Sequence, residues 1–196
     1  MLRRRRVDEL NVSERDRRRW EEKHARNQCA PLASPLNSMR WLPRARPGAL
    51  ALDLACGRGR HTLSLLDAGY CVVAVDVARS ALVDLRQRHA DDLARCHVAQ
   101  VDLDQWPFAE RGIDLVLQCD YLDRRLFPAI KQSTRTGGHV LIDTFGPGSG
   151  NGFGPSNPEY RLSSGELERV FSDWKILRVD GDSPRARRCA ILAQCP

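Results

Sequence analysis

The chain is poor in aromatic residues, at 6%, and holds two methionines among 196 residues. It has no apolar run approaching the roughly 20 residues that a membrane-spanning helix requires, so no membrane partner is expected. The opening Met1-Leu2-Arg3-Arg4-Arg5-Arg6-Val7-Asp8-Glu9 is basic with no apolar stretch behind it, which argues against a secretory signal. Acids alternate with bases through Glu22, which argues against a transit peptide, and the expected location is cytoplasmic. Neither C-x-x-C nor H-E-x-x-H occurs, and no other metal spacing links Cys29, Cys56, Cys71, Cys96, Cys119, Cys189 and Cys195 with His24, His61, His89, His97 and His139. No metal site is expected. An odd number of cysteines, mostly inside apolar runs, reads as small buried fillers and excludes a disulfide framework. Internal repeats and the basic–aromatic interleaving of an RNA-recognition module are also missing.

What is present suits a single globular domain: 42% hydrophobic and 29% charged residues, with a net charge of +6. Ten Lys/Arg against six Asp/Glu fall within residues 1–26, so +4 of that charge lies there. A basic arm of this kind can meet phosphate or an acidic partner, but a solvated, Arg-rich helix face is the plainer reading. Nucleic acid is therefore a partner that the sequence allows and does not favour. Residues 1–46 are expected to form a helical cap, with Ser13-Glu14-Arg15-Asp16 as an S-x-x-D start, broken afterwards by Pro31, Pro35 and Pro43. Residues 47–196 are expected to form one domain, as a monomer or weak dimer.

Short apolar runs bounded by turns predict strands at 49–55, 71–75, 97–101, 113–118 and 139–143. Helical patterns lie between them at 61–68, 80–89 and 124–133. This alternation predicts an α/β fold: a doubly wound parallel sheet, Rossmann-like, with helices on both faces. A loop with five glycines and two prolines follows at 146–155, then a helix over 163–171 and two strands, 175–179 and 189–193, that can pair antiparallel.

The strand ends carry the chemistry. Leu52-Asp53-Leu54-Ala55-Cys56-Gly57-Arg58-Gly59-Arg60-His61-Thr62 runs from the first strand through a glycine turn into a helix. Gly57 and Gly59 let the backbone turn tightly and approach a ligand. Asp76 ends the second strand, where an acid can accept from both hydroxyls of a ribose. Asp102 follows the third, where it can accept from an exocyclic amine while the next backbone N–H meets a ring nitrogen. Gln118-Cys119-Asp120-Tyr121 ends the fourth. A dinucleotide fingerprint wants a third glycine where Thr62 stands, and a pyrophosphate gains nothing from Asp53. S-adenosylmethionine carries an aminoacyl sulfonium instead, for which the acid is useful.

These residues resemble those of class I S-adenosylmethionine-dependent methyltransferases, especially the small bacterial tellurite-resistance type. The matching text is ALDLACGRGRHTLSLLDAGYCVVAVDVARSAL, VAQVDLDQWPFAERGIDLVLQCDYL and TRTGGHVLIDTF, with Asn157–Leu162 and Gly165-Glu166-Leu167 further on. The resemblance implies a seven-stranded sheet of order 3-2-1-4-5-7-6, the last strand antiparallel. It implies that Asp53, Ala55, Gly57 and Gly59 serve the methionine portion, that Asp76 and Val77 serve the ribose, and that Asp102 and Leu103 serve the adenine. The Cys119 backbone would lie near the amino end. Arg19–His24 resembles a helix that covers the cofactor, and Trp20, His24, Tyr121 and Arg125 are candidates for an acceptor pocket. Each has a plainer reading: docking for Trp20, solvated surface for His24, packing for Tyr121 and a buried filler for Cys119. His61 departs from the small polar residue usual there.

Methyl transfer from a sulfonium has a neutral leaving group and needs positioning above all, so no catalytic residue is assigned. The expected function is methyl transfer to a small-molecule acceptor. The alternatives are an RNA or protein methyltransferase, a noncatalytic S-adenosylmethionine-binding protein and, disfavoured by Thr62 and Asp53, a nicotinamide-dependent oxidoreductase. A further expectation is that the 146–160 loop and the N-terminal helix close over the acceptor pocket.

Overall fold

The computed structural model describes residues 7–26, 31–92, 94–105, 108–150 and 152–196. Cys29, the opening 1–6 of the basic arm and Asn151 of the Gly/Pro-rich loop lie outside the described residues. Five parallel strands, β1 (Leu50–Leu54), β2 (Cys71–Asp76), β3 (Cys96–Gln100), β4 (Ile113–Cys119) and β5 (Thr134–Phe145), form most of one sheet. β7 (Arg188–Gln194) lies antiparallel between β5 and β6 (Lys175–Asp180), which gives the order β3-β2-β1-β4-β5-β7-β6. The sheet is the expected Rossmann-like one, antiparallel strand included.

Burial explains the strand sequences. All seven positions of β4 are buried, as a central strand covered on both faces requires. One face packs Leu52, Leu54, Val116, Ile142 and Ile191 against α4 (Phe127–Ser133) and α5 (Glu166–Val170). There the fully buried Phe171 meets Phe127 and Trp174 edge-on, at centroid separations of 6.1 and 5.3 Å. Burying each such ring stabilises the fold by about 1.5–3 kcal/mol. The other face packs Ala51, Leu115, Leu117 and Leu141 against Leu65 and Leu66 of α2 (Thr62–Asp67) and Leu85 of α3 (Arg79–Arg88). Met39, with Leu36, Trp41, Leu42 and Ala45, joins this second cluster.

Several boundaries differ from expectation. Helix α1 spans Val7–Arg26, so Ser13 sits inside it and is not its cap; nothing between residues 7 and 26 is Gly or Pro to start the helix later. β5 begins at Thr134, ahead of the expected 139, because Gly137 and Gly138 kink within it instead of preceding it. Gly137 N–H donates to Cys195 O at 3.0 Å and Cys195 N–H to Gly138 O at 2.8 Å, tying the kink to the end of β7. A Cβ on Gly138 would stand 2.8 Å from Arg135 O, so only glycine fits. The expected helix over 124–133 opens instead as a 3-10 turn, Arg124–Leu126, capped by the Asp123 carboxylate, with Pro128 then starting α4. α5 is shorter than expected because Gly165 enters it at φ 66°. Among the described residues no helix is long and apolar enough to cross a membrane, and no group of three His/Cys/Asp/Glu is placed to hold a metal ion.

Candidate active site

The carboxyl ends of β1, β2, β4 and β5 converge on one rim. β1 leaves through Ala55 at φ 52°, a left-handed conformation that costs a non-glycine residue roughly 1–2 kcal/mol. Asp120, just past β4, does the same at φ 54°. Strain held at two adjacent strand ends is the kind that surrounding structure retains at functional sites. Gly57 and Gly59 follow at φ 54° and 83°, and a Cβ on Gly59 would stand 2.8 Å from Leu85 Cγ. The turn is therefore pressed against α3.

Acids hold this turn. The Asp76 carboxylate accepts from Gly57 N–H through Oδ2 and from Ala78 N–H through Oδ1, both at 2.8 Å, locking the β1 and β2 exits together. Asp53 is 2% exposed and accepts from the Thr62 hydroxyl at 2.8 Å. Burial pushes its carboxyl up to about 7, the Thr62 bond opposes this and the charge of Asp76 adds to it. Asp102 Oδ1 accepts from Asp104 N–H at 3.0 Å and opens the short 3-10 turn Leu103–Gln105. The two arginines of the turn are drawn away from it: Arg58 pairs with Asp84 at 2.5 Å and Arg60 with Asp120 at 2.7 Å. Two buried carboxylates thus back the turn, and both of its cations are engaged by acids of other elements.

Helix α1 crosses this rim. The Glu21 carboxylate accepts from Ser80 N–H at 3.0 Å, at the start of α3, and the Ser80 hydroxyl donates to Glu21 O at 3.2 Å. His24 Cε1 lies 3.4 Å from where a Gly57 Cβ would be. Burial pushes the His24 imidazole below its ordinary value and the Asp76 carboxyl above its own, and each group's proximity opposes the other's shift. Trp20 stacks on His24 at 6.0 Å, with the Lys23 ammonium 4.3 Å from the indole centroid. Glu21→Ala removes a charge-assisted bond worth about 1.5–3 kcal/mol. Hydrogen exchange of the amides of residues 18–26 is expected to quicken at least tenfold in that variant, while global melting moves by a few degrees.

On the β4–β5 side, Asp120 is bridged by Arg60 and Arg188, each at 2.7 Å. Arg188 also pairs with Asp143 at 2.7 Å, and the Ser38 hydroxyl donates to Asp143 at 2.5 Å. Tyr121 is half-buried, and burial with the nearby Asp123 and Asp104 raises its phenol above the ordinary range. The Cys119 thiol is pushed well up by burial and by Asp53, Asp143 and Asp120, so it is a filler and not a nucleophile.

Residues 51–138 match a family model described as a methyltransferase domain. The stretch from β1 into β5 is thus similar to a methyltransferase domain. Over 114 residues it is 31% identical to the biotin biosynthesis bifunctional protein BioHC of Cellvibrio japonicus (strain Ueda107), a match covering 56% of this chain and 22% of that protein. The matched stretch thus spans about a fifth of that relative's length. TehB from Haemophilus influenzae shares the fold with a TM-score of 0.69 at 19% identity, covering 87% of this chain and 65% of that one. Geranyl diphosphate C-methyltransferase from Streptomyces coelicolor A3(2) does so with a TM-score of 0.64 at 16% identity, covering 81% and 75%.

The sheet brings most of the residues singled out from sequence to one rim. Asp53, Ala55, Gly57, Gly59, Asp76 and Val77 lie at the β1–β2 exits, Asp102 and Leu103 beyond β3, and Cys119 at the end of β4. Val77 O accepts from Gln100 Nε2 at 2.9 Å. His24 and Trp20 sit at the β1–β2 end of the rim, away from the β4–β5 side. Arg125 points outward, 74% exposed, paired with Asp123 and Asp104 at 2.6 and 2.8 Å. His61 is buried, its Nε2 accepting from Arg60 Nε at 3.0 Å, and burial lowers its imidazole to about 4, so it is a neutral acceptor that helps seat the turn. Sequence reasoning missed the Arg60–Asp120–Arg188–Asp143–Ser38 chain of contacts. Its members lie up to 150 residues apart, on elements that only the sheet order makes neighbours.

Proposed function

We propose that the protein transfers a methyl group from S-adenosylmethionine to a small-molecule acceptor. The observation that carries this reading is the Gly57–Gly59 turn backed by Asp53 and Asp76, with Arg58 and Arg60 both paired away from it. Acids suit a ligand with an ammonium and a sulfonium, and a pyrophosphate would need the cations that this turn does not offer.

When bound, the cofactor supplies an electrophilic methyl group on a sulfonium. In this proposal the Gly57–Gly59 backbone and Asp53 hold the methionine portion, with Ala55 setting the turn and the Cys119 backbone near the amino end. Asp76 holds the ribose beside Val77. Asp102 and the Leu103 backbone hold the adenine, with Tyr121 close to the same end. The chain's residues accelerate transfer by fixing acceptor and methyl in line and by keeping water out, which α1 and the 146–160 loop do by covering the rim. A base is needed only where the acceptor must lose a proton. We also propose residues 1–46 as a cap on a domain spanning 47–196.

The basic character of α1 does not favour RNA. Arg18 pairs with Glu14 at 2.6 Å and Arg26 with Glu22 at 3.4 Å along its own exposed surface. Calorimetric titration is expected to show saturable S-adenosylmethionine binding and none with NAD. In a bacterial lysate given labelled cofactor, the label is expected in the small-molecule fraction. Label confined to RNA or protein would reverse the choice of acceptor, and binding of NAD alone would remove the cofactor reading.

A further inference from the structure

Three buried side-chain atoms among the described residues have no hydrogen-bond partner: Gln118 Oε1, Thr144 Oγ1 and Arg161 Nε. They share one region. Gln118 is the penultimate residue of β4 and Thr144 that of β5. Strand alternation places them on the face of Val116 and Ile142, in the same apolar cluster. Arg161 belongs to the segment that returns to β5, since Leu162 N–H donates to Phe145 O at 2.8 Å. Buried polar groups are nearly always paired, so two lapses at adjacent strand ends and a third on the segment returning to β5 point to polar groups supplied by a ligand.

The charge of that ligand follows from Arg161. Five described arginines are half-buried: Arg58, Arg60, Arg135, Arg161 and Arg188. Four of them pair with carboxylates, of Asp84, Asp120, Asp114, and Asp120 with Asp143 respectively. Arg161 is held by two backbone carbonyls, Ser149 O at 2.6 Å and Ser156 O at 3.1 Å. The Gly/Pro-rich loop wraps this guanidinium closely enough that a Cβ on Gly150 would stand 2.8 Å from Nη1. Carbonyls orient the fork without neutralising it, and a half-buried cation gains from a counter-charge that no described carboxylate supplies here. Its planar geometry matches a carboxylate or a phosphate.

We propose that Arg161 anchors an anionic group, a carboxylate or a phosphate ester, on the methyl acceptor, with Gln118 and Thr144 bonding the acceptor's uncharged polar groups. This rests on the methyl-transfer reading. β5 lies two strands from β1, about 10 Å at the usual strand spacing, so one small molecule spans from the end of β5, where the Arg161 segment returns, to the glycine turn. The full chain is first titrated with S-adenosylhomocysteine, then loaded with it and titrated with matched probes: benzoate against benzamide, and phenyl phosphate against phenol. At least one anion is expected to bind tenfold or more tightly than its neutral partner, and which one distinguishes carboxylate from phosphate. Arg161→Gln is expected to erase that preference and Arg161→Lys to keep part of it, with melting curves confirming that both variants fold. Equal affinity within both pairs, no anion binding, or an undiminished preference in Arg161→Gln overturns the proposal. Failure of S-adenosylhomocysteine to bind removes the methyl-transfer reading alone, and the same titrations on the unloaded chain then decide the role of Arg161.

Discussion

Replacing Asp76 with alanine is expected to weaken S-adenosylmethionine binding at least about a hundredfold in calorimetric titration, with the fold retained. The Asp76 carboxylate receives two backbone N–H bonds at 2.8 Å, from Gly57 and Ala78. Bonds to a charged acceptor contribute about 1.5–3 kcal/mol each. Losing both releases the glycine turn from β2, and about 2.8 kcal/mol is already a factor of a hundred in affinity. The proposed ribose contact disappears in the same substitution. Asp76→Asn keeps one oxygen but points an amide N–H₂ at a backbone donor, so a loss of about tenfold is expected there. The sheet around position 76 is apolar and intact, so far-UV circular dichroism is expected to match the wild type. Affinity within threefold of the wild type in Asp76→Ala would remove Asp76 from the ribose site.

The two substitutions at Asp76 probe a site that local sequence largely exposes, and the reason is geometric. In a parallel sheet every β-to-α connection leaves from the same edge, so a strand-ending acid and a glycine turn close in sequence are necessarily close in space. Asp53, Gly57, Gly59 and Asp76 lie on two consecutive units, and their convergence follows from strand alternation alone. Asp102 is different: its position follows from the same rule, but its Oδ1 is used within its own turn, which alternation does not reveal. The β4–β5 side was illegible because Asp120, Asp143 and Arg188 meet through the antiparallel insertion of β7, a long-range pairing with no local signature. Arg161 was visible only as part of a resembling stretch. Its unbalanced charge emerges when each other half-buried arginine is seen to have an acid beside it. The N-terminal helix shows the opposite failure: the S-x-x-D pattern is a genuine capping sequence, but a run with no Gly or Pro let the helix extend past it to Val7.

Asp53→Asn is expected to stabilise the protein at pH 8 by up to about 4 kcal/mol and to leave it nearly unchanged below about pH 4. The Asp53 carboxyl is buried and its folded-state value is raised to about 7. In the unfolded chain an aspartate titrates near 3.9, so between these values the folded state binds the extra proton. Stability therefore falls as pH rises: the contribution of Asp53 is whole below about pH 4, declines between about 4 and 7 and is gone above about 7. A gap of roughly three pH units corresponds to about 4 kcal/mol at most. Asp84, Asp114 and Glu166, held low by arginine and other hydrogen-bond partners, act with the opposite sign and lose their contribution on acidification. They are common to both proteins and cancel in the difference. Urea midpoints measured from pH 4 to 8.5 check this: a difference curve that rises from about pH 4 and levels off above about 7 supports it, and a flat one refutes it. A neutral amide at position 53 keeps the Thr62 bond but cannot supply the negative charge that a cationic ligand needs. The stabilised variant is accordingly expected to bind S-adenosylmethionine about tenfold more weakly at pH 8. A carboxyl that the fold tolerates poorly when ionised, at a turn proposed to meet a cation, fits a site where stability has been given up for binding.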